Sequence, residues 1–243
     1  MTIDEPAEFG AFRPRPPRVR AVTEDEWTGP ISVGRALELL NRATRVASPG
    51  WRRKFRLFGC HCLRRLQPFV PGDRFARALD VAERHFDGPP AIAELRAAVA
   101  EAQESSEVHR SDPERAEERA APHLRELLAH SPHAAANGAA GAVLWVLGGS
   151  RPGAELQADM MQQLRDLFGN PFRPVAFDPA WRTTTAVALA RQMYESREFS
   201  AMPIMADALQ DAGCESADVL DHCRGPGPHV RGCWVVDLVL GKA

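Results

Sequence analysis

Side chains that can bind a transition metal are concentrated in one stretch of the sequence. They are Cys214, His222, Cys223, His229 and Cys233. Thiolates and imidazoles are the ligands that zinc prefers. Structural zinc sites usually place paired ligands about two to four residues apart, however, and the spacing of these three cysteines is wider. A zinc site in this stretch is therefore one hypothesis, and buried thiols with helix-capping histidines are the alternative.

The loop 224–232 suggests a different chemistry, the binding of an anion. It alternates glycine with proline, carries Arg224, His229 and Arg231, and precedes a predicted helix that begins near Cys233. Backbone N–H groups at a helix start, together with the helix dipole, bind anions. The loop lacks the lysine and the Ser/Thr of a Walker loop and follows no strand, so it does not predict nucleotide hydrolysis. An ordinary helix–helix connection is the alternative.

Two further cysteines lie on a helix that the sequence predicts over 51–67. At about 100° per residue, Cys62 falls on the apolar side and Cys60 on another side, about 200° away, so the two cannot share a metal ion. The side with Cys60 also holds Arg52, Arg53, Arg56 and Arg64. Nearby guanidinium groups favour a thiolate, which makes Cys60 the candidate for a reactive thiol. The alternative is a small, half-buried residue beside a solvated basic face.

Catalytic signatures are missing from the sequence. It contains no Gly-x-Ser-x-Gly elbow, no His-Glu-x-x-His and no dinucleotide-binding glycine pattern after a strand. Catalytic groups can also meet in space without a sequence motif, so the sequence does not exclude an enzyme, but it does not favour one. The leading hypothesis is a non-enzymatic helical module for protein interaction or regulation, with no cofactor. The alternatives are a zinc-binding module and an anion or phosphate receptor or enzyme at 224–232.

Apolar residues recur every three to four positions between proline and glycine stops, which predicts an all-α fold. We expect an irregular multi-helix domain with Pro-rich connecting segments and little strand. Thr23 and Ser32 stand where the N-caps of the first two helices are expected. Residues 1–22 combine proline with arginine, which favours a disordered or extended basic arm. The rest, 23–243, is either one helical unit or two lobes, 23–108 and 120–243.

Composition restricts the partners and the compartment. The 243 residues carry a net charge of −2, which gives no electrostatic reason to expect nucleic acid or an anionic membrane. No run of about 18 apolar residues exists that could span a bilayer, and the start lacks a secretory signal. Five cysteines without a disulfide framework indicate thiols in a reducing compartment. We therefore expect a cytoplasmic protein whose partner is another protein.

Two stretches, 51–87 and 166–242, resemble a large paralogous family of uncharacterised proteins expanded in planctomycete bacteria. The resemblance is carried by WRRKFRLFGCHCLRRL and RALDVAERHFDG in the first stretch. In the second it is carried by GNPFRPVAFDPAW and HCRGPGPHVRGCWVVDLVLGK. The resemblance implies a modular protein, since such segments occur in that family alone or beside other modules. It implies no particular activity.

Overall fold

The computed structural model describes residues 23–43, 49–70, 72–88, 92–107, 122–126, 131–148 and 153–242. All regular secondary structure within these ranges is helical, which confirms the predicted all-α class. None of the helices in these ranges is long and apolar enough to cross a bilayer. The arm predicted over 1–22 lies outside the described residues, and the division into two lobes stays a prediction.

Twelve α-helices occur within the described ranges. They are α1 (Glu24–Thr28), α2 (Val33–Ala43), α3 (Pro49–Arg64), α4 (Arg74–Asp87), α5 (Ile92–Glu107), α6 (122–126), α7 (Pro132–Leu147), α8 (Gly153–Phe168), α9 (Thr184–Ser196), α10 (Met202–Asp211), α11 (Ala217–Arg224) and α12 (Trp234–Leu240). Short 3₁₀ turns lie at Gln67–Phe69 and Pro179–Trp181.

The first two helices begin where the sequence predicts. Thr23 Oγ1 accepts the backbone N–H of Glu26 at the start of α1, at 3.3 Å. Ser32 Oγ accepts the N–H of Arg35 in α2, also at 3.3 Å. A helix start leaves N–H groups without a partner inside the helix, and these hydroxyls supply one. Both predicted N-caps are therefore confirmed.

Buried apolar side chains form two clusters. The larger cluster combines α1 to α8 and includes the alanine-rich face of α7, against which α3 packs. The smaller cluster combines α9 to α12. Helix α12 packs against both α9 and α8, so the end of α8 lies where the two clusters meet.

The arginine-rich side of α3 is also found at this meeting place. Arg53 donates to Asp87 Oδ1 and to Asp237 Oδ2, each at 2.7 Å. Arg64 donates to Glu83 Oε1 at 2.7 Å. These carboxylates belong to α4 and α12, and the side chains of Glu83 and Asp237 are fully buried. The expectation of a solvated basic face is therefore wrong for Arg53 and Arg64, because distant acidic residues pair with them and cover them, whereas Arg52 is exposed.

Candidate metal centre

Four potential metal ligands converge beside the end of α8. They are Asp166 in α8, His222 in α11, His229 in the following loop and Cys233 immediately before α12. We call them the Asp166 cluster. Each offers one ligand atom, and these atoms all lie within 4.8 Å of one another. A zinc tetrahedron with bonds near 2.1 Å has edges of about 3.4 Å, so the most distant ligand atoms of the cluster would have to approach by up to about 1.4 Å to bind one ion.

The donor atoms of the Asp166 cluster face one another closely. Asp166 Oδ1 lies 2.8 Å from His229 Nδ1 and 3.2 Å from His222 Nε2. His222 Nε2 also lies 3.2 Å from Cys233 Sγ. A ring nitrogen carries at most one proton, so His222 Nε2 can direct a linear hydrogen bond to the carboxylate or to the sulfur, but not to both. A cation at the centre would interact with both of them at once.

Asp166 is fixed in this position by its second oxygen. The backbone N–H of Val230 donates to Asp166 Oδ2 at 2.8 Å, and the side chain of Asp166 is only 3% exposed. Burial alone would raise the pKa of Asp166, but hydrogen bonds from His222 and His229 and their charges lower it below its usual value. The side chain therefore remains a carboxylate inside the protein, which is the form that binds a metal.

The sulfur of Cys233 lies fully inside the protein. Burial raises the pKa of this thiol well above its usual value, and the negative charge of Asp166 raises it further. The backbone of Val235 and Val236, at the start of α12, lowers the pKa by less. The sulfur is therefore protonated unless a cation lies beside it. Metal coordination deprotonates a thiol outright and would supply that charge.

Gly232 determines how the chain reaches Cys233. Its φ angle is +95°, a conformation that side chains with a Cβ rarely adopt. A Cβ on Gly232 would lie 2.7 Å from Leu57 Cδ1 and 2.8 Å from Leu167 Cδ2. Glycine therefore allows the loop to turn directly against α3 and α8, and this turn places Cys233 next to Asp166.

Three of the five predicted metal ligands, His222, His229 and Cys233, lie in the Asp166 cluster. The other two, Cys214 and Cys223, are buried in the apolar cluster of α9 to α12 and do not belong to it. Burial raises the pKa of Cys223 to about 12. These two cysteines are therefore packing residues in this fold.

Asp166 is the ligand that sequence reasoning missed. It precedes His222 by 56 positions and belongs to no ligand motif. Leu164 of α8 is a core residue. At about 100° per residue Asp166 lies about 200° around the helix from Leu164, so the apolar pattern places Asp166 towards solvent. It is buried because the loop that carries His229 and Val230 packs on that side of α8. The local sequence contains no signal for this long-range contact.

The predicted anion-binding residues of the 224–232 loop do not act together. Each of them has a separate acidic partner: Arg224 pairs with Asp207, Arg231 with Asp87, and His229 with Asp166. The guanidinium of Arg231 also lies over the ring of Tyr194, 4.7 Å from its centroid. Because all three face carboxylates, the expectation of a shared anion site at this loop has no support in the geometry.

Cys60, the predicted reactive thiol, lies fully buried in the larger apolar cluster. Burial raises its pKa well above the usual value, and the charge of Glu83 acts in the same direction. Arg64 and Arg56 lower the pKa, but by less. The expectation of a thiolate at Cys60 is therefore wrong, because burial outweighs the neighbouring guanidinium charges.

Comparison with known proteins yields no relative: no family model, curated protein or solved structure matches this chain. The resemblance of 51–87 and 166–242 to the planctomycete family stays a prediction.

Proposed function

We propose that this protein is a helical module stabilised by one zinc ion at the Asp166 cluster, and that it acts in protein interaction or regulation rather than in catalysis. The supporting observation is the convergence of one carboxylate, two imidazoles and one thiol within 4.8 Å of one another. Mixed oxygen, nitrogen and sulfur sets of four are typical of zinc, which binds them tetrahedrally.

The donor types favour zinc over the common hard cations. Calcium and magnesium take oxygen ligands, and the Asp166 cluster offers a carboxylate from one residue only, beside two imidazoles and a thiol. Imidazole suits several transition metals, and thiolate narrows the choice towards zinc and copper(I). Zinc accepts all three donor types in one site and needs no change of oxidation state.

A structural role for the ion is supported by the number and burial of the ligands. Catalytic zinc sites use three protein ligands and keep one position open, whereas this cluster supplies four. Asp166 belongs to the end of α8, and Cys233 belongs to the smaller apolar cluster. An ion bound between them would connect the two apolar clusters of the fold, which explains why the site lies where they meet.

The compartment forms part of the same proposal. All five cysteines are buried and unbridged. Free thiols in this number are typical of a reducing compartment, and a zinc thiolate also requires a reduced cysteine. We therefore propose that the protein lies in the cytoplasm.

Metal titration tests the proposal. Protein that has been treated with a chelator is titrated with Co²⁺, whose thiolate charge-transfer and tetrahedral ligand-field absorption bands report sulfur coordination. We expect about one Co²⁺ per chain, displaced by Zn²⁺, and a higher Tm with zinc than without, because a ligand that binds only the folded state stabilises it. Cys233→Ala should remove the charge-transfer band. Cys214→Ala should retain it, because Cys214 is equally buried but lies outside the Asp166 cluster.

Two results would overturn the zinc proposal. One is the absence of stoichiometric Co²⁺ or Zn²⁺ binding by folded wild-type protein. The other is a charge-transfer band of unchanged intensity in folded Cys233→Ala, which would show that another cysteine supplies the sulfur.

A further inference from the structure

A cavity of about 500 Å³ lies beside the Asp166 cluster, and His222 borders both. Its lining comes from α1, α3, the end of α8 with the segment that follows, α11 and α12. Four aromatic residues belong to the lining, of which Trp51 and Trp234 are partly exposed and Trp27 and Phe168 are buried. Cavities of this volume with aromatic walls are typical sites for small organic molecules.

Three cationic side chains line the cavity, and two of them face carboxylates. Lys54 Nζ lies 3.5 Å from Asp237 Oδ2 and donates to the main-chain oxygen of Leu167. Arg173 forms an ion pair with Glu24. Each of these two cations therefore has a carboxylate nearby, although Lys54 shares Asp237 with Arg53.

Arg165, the third cation, is held by neutral groups. Its Nη2 donates to the main-chain oxygens of Trp27, at 2.9 Å, and Gly29, at 2.8 Å, and its Nε donates to Trp27. Among the described residues, Arg165 forms no ion pair and its Nη1 makes no hydrogen bond. The carboxylate in the lining is that of Asp218, which is exposed to solvent. The cavity therefore contains a guanidinium whose charge no buried carboxylate compensates.

Burial lowers the pKa of Arg165, which agrees with a guanidinium that has carbonyl partners and no carboxylate partner. Since an arginine side chain stays protonated in proteins, its positive charge persists in this half-buried position. Such a charge is most strongly stabilised by a charge-assisted hydrogen bond to an anion. Because Arg165 offers one guanidinium that lacks a carboxylate partner, a ligand with one carboxylate matches it.

We propose that the cavity binds a small planar aromatic monoanion, an arenecarboxylate, whose ring contacts the side chains of Trp51 and Trp234 and whose carboxylate accepts a hydrogen bond from Arg165. The aromatic wall selects the flat apolar body of the ligand through stacking and edge contacts. The guanidinium selects the carboxylate over a neutral group of the same shape. This inference does not depend on the metal, because none of the groups that bind the ligand is required to bind zinc.

A matched pair of probes tests the inference by isothermal titration calorimetry on the full chain. Naphthalene-2-carboxylate and naphthalene-2-carboxamide have nearly the same shape and differ in charge. We expect the carboxylate to bind at least about tenfold more tightly, because hydrogen bonds to charged groups are about twice as strong as neutral ones. Arg165→Gln should abolish this preference while it leaves the affinity for the carboxamide nearly unchanged.

Two further variants keep the test interpretable. Arg191→Gln removes an exposed arginine of α9 that does not line the cavity and should keep the full preference. Trp51→Leu should weaken both probes by similar factors and keep their ratio, so it tests the aromatic wall even if Arg165→Gln fails to fold. The inference is overturned if wild-type protein binds neither probe or binds both equally. It is also overturned if folded Arg165→Gln keeps the preference, or if Trp51→Leu leaves both affinities unchanged.

Discussion

His229 Nδ1 lies 2.8 Å from Asp166 Oδ1, although 63 positions separate the two residues in the sequence. The contact joins the end of α8 to the glycine- and proline-rich loop that follows α11. The neighbouring N–H of Val230 binds the other oxygen of the same carboxylate, so the loop contacts Asp166 at two points. This double contact fixes the carboxylate on which the proposed zinc site depends.

Asp166→Asn removes the charge of this carboxylate and preserves its shape. We expect zinc affinity to fall by at least about tenfold, since an amide is a weaker ligand and a weaker partner for the two histidines. Competition with a chromophoric chelator measures the change. Asp159→Asn is the matched control, because Asp159 lies on the same helix with a side chain that is 47% exposed. Equal zinc affinity for Asp166→Asn and wild type would exclude Asp166 as a ligand.

Glu83 and Asp80 provide a direct comparison between a buried and an exposed carboxylate. Both pair with Arg64 and Arg197, but the side chain of Glu83 is 0% exposed and that of Asp80 is 41% exposed. Glu83→Gln should lower the free energy of unfolding by about 3–5 kcal/mol, because two arginines lose their buried counter-charge. Asp80→Asn should lower the free energy of unfolding by about 1 kcal/mol or less. Urea denaturation measures both, and similar losses would contradict the prediction.

His61 should make the stability depend on pH. Burial lowers the pKa of His61, and its Nε2 lies 2.8 Å from the main-chain oxygen of Arg231. The unfolded chain therefore takes up a proton at this residue at a higher pH than the folded chain does. The contribution of His61 to the free energy of unfolding is therefore present above about pH 6.5 and is lost as the pH falls below that value.

The measurement for His61 is the free energy of unfolding at several values between pH 7.5 and pH 5. We expect a smaller loss in His61→Gln than in wild type over this interval, because glutamine does not titrate. An identical pH dependence in the two proteins would show that His61 is not the group responsible.

Gly232→Ala should destabilise the fold more than Gly213→Ala. Both glycines have positive φ angles, +95° and +88°, so both substitutions strain the backbone. Only at Gly232 would the new Cβ also collide, with Leu57 and Leu167, whereas no atom lies within 4 Å of the Cβ position at Gly213. We expect an additional loss of about 1–3 kcal/mol for Gly232→Ala. Thermal denaturation measures it, and equal losses would mean that the loop relaxes without cost.

Local signals predicted the helices well, because caps and helix stops act over a few residues. Thr23 and Ser32 begin their helices as the sequence indicates. His222, His229 and Cys233 were also predictable as candidates, since they lie on a single short stretch. Their convergence was not predictable, because it depends on how the loop between α11 and α12 folds.

The failures share a physical cause, which is pairing between distant charged residues. Arg53 and Arg64 of α3 were expected in solvent, and Asp166 lies where the apolar pattern of α8 also points to solvent. Each is buried by a partner that lies far away in the sequence, such as Asp237 for Arg53 or His229 for Asp166. Periodicity describes one helix at a time and carries no information about such partners.

The last turn of α8 lies between the aromatic cavity and the proposed zinc site. Arg165 lines the aromatic cavity, whereas Asp166, the next residue, faces the proposed zinc site. Consecutive side chains on a helix point about 100° apart, so a single turn directs the positive charge of Arg165 towards the cavity and the negative charge of Asp166 towards the zinc site. His222 borders both spaces from the other side. A displacement of this turn would therefore alter the cavity and the proposed zinc site together.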